Sequence, residues 1–270
     1  VITFPNCKIN LGLHITGKRN DGYHDLETVF YPIPFCDGLE VIHNQDPHTE
    51  FSISGLHIEN SKEDNICFKA YNVLKKVNHT LPSLKMHLHK VIPAGAGLGG
   101  GSADGAFTLL LINQKFNLGL NEQQLMEYAL QLGSDCPFFI INKPVYATGR
   151  GERMEPVKLD LSNYTIVLIN PGIHISTGWA FSRILAAPRN DQLKNIIALP
   201  VSEWKNLLYN DFEIPVFEQF PVIKEIKAQL YDKGAVYASM TGSGSTVFGL
   251  FEKSAMLHFD LPPHYFMKTI

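Results

Sequence analysis

Between Pro93 and Ser102 five glycines (Gly95, Gly97, Gly99, Gly100 and Gly101) fall within seven positions, and an apolar helical pattern starts directly behind them. Residues without Cβ let a backbone take positive φ and aim consecutive N–H groups at one point. A helix start adds unpaired N–H donors and the positive end of the helix dipole. The chemistry open to such a stretch is to hold an anion, most often phosphate. The alternative for the same residues is a tight, flexible turn. Ser102, at the helix start, offers a hydroxyl to phosphate or to Mg²⁺, or simply caps the helix. Lys90, just before the stretch, either reaches a nucleotide or is a surface lysine.

Gly95, Gly97 and Gly100 satisfy the literal G-x-G-x-x-G spacing, which unrelated phosphate binders share. A dinucleotide fold needs a parallel strand after the helix and an acidic residue about twenty positions on. Here a second helical pattern follows, and the position twenty beyond Gly100 is Leu120. No Gly-Lys-Ser/Thr closes the stretch as a P-loop requires. The His-Arg-Asp and Asp-Phe-Gly triplets of protein kinases are missing as well.

The elements that must position this stretch can be read from periodicity. Cys7, Ile9, Leu11, Leu13 and Ile15 alternate with Lys8, Asn10, Gly12, His14 and Thr16, the pattern of a half-buried strand with a polar outer face. A turn at Lys18–Gly22 leads to a strand from Tyr23 to Tyr31, with a sheet edge or bulge expected near Pro32 and Pro34. Leu39–Ile42 and Glu50–Ile58 read as short strands. Ser61–Asp64 offers capping chemistry for a helix through Ile66, Ala70, Leu74 and Val77. Leu84, Met86 and Leu88 alternate with Lys85, His87 and His89 in a strand that Pro93 ends. The helix after the glycines is apolar round most of its circumference, so it is expected to be buried on several sides. Asn121 with Gln124 caps the next helix, and Gly133 stops it. Beyond a break at Tyr146–Gly151, strands are expected at Tyr164–Asn170, Val236–Met240, Thr246–Phe251 and Tyr265–Ile270, and helices at Trp179–Leu185 and Val222–Leu230. The mixture is irregular and opens on a hairpin, which favours α+β over a doubly wound sheet. The break sets expected domains of 1–150 and 151–270.

A net charge of −3 advertises no basic face, so neither nucleic acid nor a membrane surface is an expected partner. The four cysteines lie far apart without a Cys-x-x-Cys pair, which fits reduced thiols rather than disulfides or a zinc site. Apolar runs are too short to span a bilayer. A cytoplasmic protein is expected, and the sequence sets no oligomeric state.

Three segments together resemble the motifs of the GHMP kinase superfamily, in that family's order. Pro5-Asn6-Cys7-Lys8-Ile9-Asn10-Leu11 is similar to the first, with Cys7 where alanine is usual. Ile92 to Ala103 is similar to the second, the phosphate loop, and Met240-Thr241-Gly242-Ser243-Gly244-Ser245-Thr246 to the third. Within the superfamily, Arg19-x-Asp21-Gly22-Tyr23-His24 and Gly133-Ser134-Asp135-Cys136-Pro137-Phe138 resemble the kinases acting on 4-diphosphocytidyl-2-C-methyl-D-erythritol. The likeness runs from Pro5 to about Phe251. It implies a two-domain fold, with an N-terminal domain like domain 2 of ribosomal protein S5 and a ferredoxin-like C-terminal domain.

The resemblance also implies roles. ATP is the donor, with Mg²⁺ held mainly by ATP itself, and the small-molecule acceptor is a cytidine diphosphate-linked methylerythritol, phosphorylated on its 2-hydroxyl in isoprenoid precursor synthesis. Asp135 matches the base that takes the acceptor's proton, and Lys8 its cationic partner. Lys90 and Pro93, Ala94, Gly95, Ala96, Gly97, Leu98, Gly99, Gly100, Gly101, Ser102 and Ala103 match the ATP-binding positions. Tyr23 matches an aromatic plate for the base and His24 a partner for its polar edge. Phe181 matches a second plate or is core packing, and its neighbour Thr177 falls in the same looser motif. Asn10 matches a contact to the acceptor. The alternatives are another small-molecule kinase of the superfamily and a nucleotide-binding relative without activity.

Overall fold

The computed structural model describes residues 1–57, 61–184, 186 and 193–270, and these gather into two compact units. The first unit comprises Val1–Cys7, Pro32–Ala94 and Gly99–Lys143; the second comprises Lys8–Tyr31, Gly95–Leu98 and Pro144–Ile270. The strands β2 (Asn6–Lys18) and β3 (His24–Cys36) and the glycine stretch therefore contribute residues to both.

In the first unit, β1 (Ile2–Thr3), β4 (Gly38–His43), β6 (Leu84–Lys90) and β5 (Glu50–Gly55) form a sheet in that spatial order. β4 and β6 are antiparallel, and β5 runs parallel to β6 with Phe51 opposite Met86. The alternation expected in β6 holds: Leu84, Met86 and Leu88 are buried, while Lys85, His87 and His89 line the other face. Helices α1 (Ile66–Val77), α2 (Gly100–Lys115), α3 (Glu122–Leu132) and α4 (Cys136–Ile141) pack together, and α2 also meets β4. α2 is buried on several sides, as its composition demands. The cap expected from Ser61–Asp64 falls instead to Asn65, whose side chain accepts the Cys67 N–H, because Ser61 and Asp64 bond each other. Asn121 and Gln124 make the full capping box. α4 was not expected; Pro137 in its first turn is the one local signal for it.

The second unit holds two sheets. In one, β2, β3, β7 (Val145–Thr148) and β8 (Arg153–Pro156) lie side by side. β2 is not half-buried as its alternation suggests: Lys8, Asn10 and His14 are as enclosed as Ile9 and Leu11. β3 runs unbroken through Pro32 and Pro34; its pairing with β7 covers only Thr28–Phe30, so on that side no N–H is asked of either proline. The other sheet has the order β10 (Tyr237–Met240), β11 (Val247–Glu252), β9 (Tyr164–Asn170), β12 (Phe266–Thr269), all antiparallel pairs. That is the strand order of a ferredoxin-like sheet, with α8 (Pro221–Asp232) packed on β10 and β11. Where that fold has its second helix, residues 253–265 form neither helix nor strand, and Ala255, Leu257, Phe259 and Leu261 lay alternate side chains on the core. α5 (Thr177–Ser182), α6 (Leu193–Ile197), a 3₁₀ turn at Val201–Asn206 and α7 (Glu213–Gln219) complete the unit. Ile58 and Leu185, the expected ends of a strand and a helix, lie outside the described residues. No described helix is long and apolar enough to cross a membrane.

Candidate active site

The glycine stretch takes the conformation its composition allows. Gly95, Gly97 and Gly99 have φ of 63°, 77° and 70°, so every second residue is left-handed and the intervening amides turn to one side. Ala96 and Leu98, between them, bury their side chains. Gly99 stands at the N-cap of α2 and supplies no side chain to cap it. A Cβ built on Gly101 meets nothing within 4 Å, so the first turn of α2 faces open space there. The N–H of Ala103 is already bonded to the Gly99 carbonyl at 2.9 Å, which leaves the donor positions before it for an anion. Pro93 is half-buried, and Ala94, Gly95 and Gly101 are exposed.

The middle of the stretch is clasped by the other two motifs. A Cβ on Gly97 would lie 2.1 Å from the Thr241 carbonyl oxygen, so only glycine fits. The Thr241 hydroxyl lies 3.1 Å from the Gly97 carbonyl and 3.2 Å from Asn10 Oδ1, and it accepts the Asn10 N–H at 3.0 Å. Lys8 Nζ donates to Asn10 Oδ1 at 2.6 Å and to the Gly97 carbonyl at 3.4 Å, over the Phe30 ring. Asn10 Nδ2 donates to Thr28 Oγ1 at 2.9 Å. The three motifs are thus one assembly around Gly97, and Thr28 belongs to it although no motif flagged it.

Lys90 is not at the surface. Its side chain is 2% exposed, and its ammonium is bonded to Asp37 and, at 2.7 Å, to Asp104 Oδ2. Asp135 is the N-cap residue of α4, half-buried in a turn that Pro137 follows. Its neighbour Cys136 lies against Ser102, and α4 packs on α2, so the helix behind the glycines and the Asp135 turn are held together. Burial pushes the Cys136 thiol up to about 12, against the Ser102 hydroxyl, which lowers it, so this sulfur is no nucleophile at neutral pH. The four cysteines form no disulfide among the described residues. No described group of three or more His, Cys, Asp or Glu side chains could hold a metal.

The rings expected to recognise a base lie in the second unit. Arg19 bonds Asp21 and Asp25, and Asp21 accepts the Tyr23 N–H at 3.1 Å, which fixes the turn carrying Tyr23 and His24. His24 stacks on Phe181 with centroids 4.9 Å apart, and Phe181 meets Phe212 edge-on. Phe181 therefore both packs on the core and offers a ring. Burial lowers the His24 pKa, with Lys18 adding to the effect, so the imidazole is neutral at pH 7. The Tyr23 ring is covered on one face by the Arg150 guanidinium, 4.6 Å from its centroid. Arg150 read only as part of a chain break; its place between two glycines, Gly149 and Gly151, both at positive φ in the structure, was the available signal. Thr177 is exposed, its hydroxyl 3.3 Å from that of Ser243.

Comparison with known proteins agrees with these motifs. Residues 65–143 match the GHMP kinases N terminal domain, and residues 193–256 match the GHMP kinases C terminal family. A 4-diphosphocytidyl-2-C-methyl-D-erythritol kinase of Bacteroides fragilis is 54% identical over 96% of both chains. The protein of that name from Cytophaga hutchinsonii is 46% identical over 93% of this chain and 92% of its own. A crystal structure of 4-(cytidine 5'-diphospho)-2C-methyl-D-erythritol kinase superposes with a TM-score of 0.80 at 29% identity, covering 93% of this chain and 90% of that one. Methanococcus jannaschii mevalonate kinase, at 14% identity and a TM-score of 0.69, shares the fold over 94% and 92% of the two chains. The chain belongs to the GHMP kinase superfamily, within the family of 4-diphosphocytidyl-2-C-methyl-D-erythritol kinases.

Proposed function

We propose that this protein moves the γ-phosphoryl group of ATP to the 2-hydroxyl of 4-diphosphocytidyl-2-C-methyl-D-erythritol, giving the 2-phosphate and ADP. One observation carries the choice of acceptor: near-full-length identity to relatives of that name. The geometry supports the donor side, through a left-handed glycine run leading into a helix that no side chain caps. Phosphoryl transfer asks a protein mainly for alignment and for neutralisation of charge on the phosphate oxygens. The amides from Gly95 to Ser102 would align the ATP phosphates. Asp135 takes the acceptor's proton as the new O–P bond forms and the bond to the β,γ-bridging oxygen breaks. Lys8 supplies positive charge to that exchange. Mg²⁺ would arrive with ATP and neutralise its phosphates, with the Ser102 hydroxyl as this chain's available oxygen, since the hard cation prefers phosphate, hydroxyl and water ligands.

Tyr23 and Phe181 stack on the cytosine, the neutral His24 ring or backbone meets its polar edge, and Asn10 and Thr177 bind the acceptor. The stack between His24 and Phe181 supports this reading, because a base entering it trades one aromatic contact for another. The functional division at 1–150 and 151–270 is kept, with one family match on each side of it. Thiols without disulfides suit a reducing compartment, and the reaction is assigned to the cytoplasm.

ADP release with Mg²⁺, ATP and a panel of alcohols tests the reading. Turnover is expected with the cytidyl substrate; turnover with mevalonate or homoserine instead would reject that acceptor. Asp135→Asn is expected to cut kcat at least about a hundredfold with little change in ATP affinity.

A further inference from the structure

Three charged side chains are buried together at the ends of the glycine stretch, and the reaction described above gives none of them a task. Asp37 lies between β3 and β4 with its side chain fully enclosed. Its Oδ1 accepts two consecutive backbone N–H groups, from Val91 at 2.6 Å and Ile92 at 2.8 Å. Those are the two residues between the end of β6 and Pro93. Its Oδ2 takes the Lys90 ammonium, which also bonds Asp104 in the second turn of α2. One side chain thus fixes the strand end that leads into the stretch, and the lysine beside it ties that strand end to the helix leading out. The gap between the two ends is already closed, since a Cβ on Gly100 would lie 2.8 Å from Ile92 Cγ2 and 3.5 Å from Lys90 Nζ.

Stability alone is a poor reason to keep this cluster. One ammonium faces two carboxylates away from water, and buried ion pairs commonly do no better than apolar packing of the same volume. The imbalance falls on Asp104, whose Oδ1 is buried without a hydrogen-bond partner. Burial, reinforced by Asp37 and opposed by Lys90, raises the Asp104 carboxyl to about 7. What the cluster does supply is rigidity of direction. Backbone donors stabilise an anion most when they are aimed before it arrives, because no reorganisation is then needed.

We propose that Asp37 is a positioning residue for the phosphoryl donor: through the Val91 and Ile92 amides, and through Lys90 to Asp104, it locks both ends of the glycine stretch so that its amides are pre-aimed at the ATP phosphates. The proposal rests on the reading of that stretch as the ATP phosphate site. Asp37→Ala removes the anchor, whereas Asp37→Asn keeps an oxygen for the two amides. In steady-state ADP release, Asp37→Ala is expected to raise KM for ATP at least about tenfold, with KM for the cytidyl acceptor within about twofold, and Asp37→Asn, which keeps the amide acceptor but not the one for Lys90, to recover part of the loss. Should Asp37→Ala fail to fold, Asp104→Asn serves, because it leaves Lys90 paired with Asp37; its KM for ATP should rise about threefold or more. A folded variant whose ATP and acceptor KM stay unchanged, or rise together, would mean a structural role only and overturn the proposal. Gly101→Val, at a position with open space, separates the two levels. If it raises KM for ATP while the Asp37 and Asp104 variants do not, the positioning role alone is lost. If it too leaves ATP binding untouched, the phosphate-site reading is lost with it.

Discussion

The glycine stretch is held in two different ways, at its ends by charge and at its middle by shape. Asp37, Lys90 and Asp104 fix the strand end before it and the helix turn after it through buried ionic hydrogen bonds. Gly97 is fixed by backbone standing against backbone, with one hydroxyl, that of Thr241, shared between Gly97 and Asn10. The difference teaches that glycine serves two purposes in one motif. At Gly97 it makes room for the protein's own chain; at Gly101 it leaves room for something from outside.

The largest test of this contrast is Gly97→Ala. A Cβ there collides with a carbonyl oxygen that no rotamer can move, at a φ of 77°. Overpacking and left-handed strain together should destabilise the fold by about 3 kcal/mol in urea denaturation. Loss of less than about 1 kcal/mol would show that the clasp yields. Next, Thr241→Val strips the buried Asn10 N–H of its acceptor and should cost about 2 kcal/mol. At the ends the expected signature is a pH dependence. Asp104 holds its proton in the folded chain up to about 7 and in the unfolded chain only to its ordinary 3.8. Its contribution therefore favours the fold below about pH 4 and is withdrawn as pH rises through about 7. The stability of the natural chain minus that of Asp104→Asn should fall across this window, and a flat difference would deny the buried imbalance. The smallest effect has the opposite sign. Gly101 lies in α2 without a positive φ, so Gly101→Ala should raise stability by about 0.5 kcal/mol while weakening ATP binding. A weaker fold would place this glycine with Gly97 instead.

Local chemistry was readable and distant partnership was not. The β6 alternation, the Asn121–Gln124 box and the buried sides of α2 follow from residues within one or two turns of each other. Lys8 and Asn10 showed an odd polar face, but nothing local says that Phe30, Thr28 and Thr241 cover it; Thr241 is 231 positions from Asn10. Lys90 is the sharper case, for its partner Asp37 is 53 positions away and sits at an unremarkable strand junction. A lysine beside a phosphate loop invites a phosphate contact, and only tertiary packing shows its charge engaged by carboxylates. The 253–265 segment was opaque for another reason: only its residues at every second position, Ala255, Leu257, Phe259 and Leu261, face the core, and they bear no helix signal.

The contact of Gly97 with Thr241 has a consequence for inheritance and for engineering. A glycine loop whose shape depended only on its own residues could be grafted as a cassette. This one could not, because the space that Gly97 occupies is defined by a chain segment near the other terminus, and the carbonyl it presents is claimed by the Thr241 hydroxyl from that segment and by Lys8 near the start. A chimera that exchanges 93–104 alone should inherit the glycines without their geometry. The transplantable module is discontinuous: besides 8–12, 93–104 and 239–246 it includes Thr28, Asp37 and residues 90–92, and recombination that mixes these from different parents should lose the geometry.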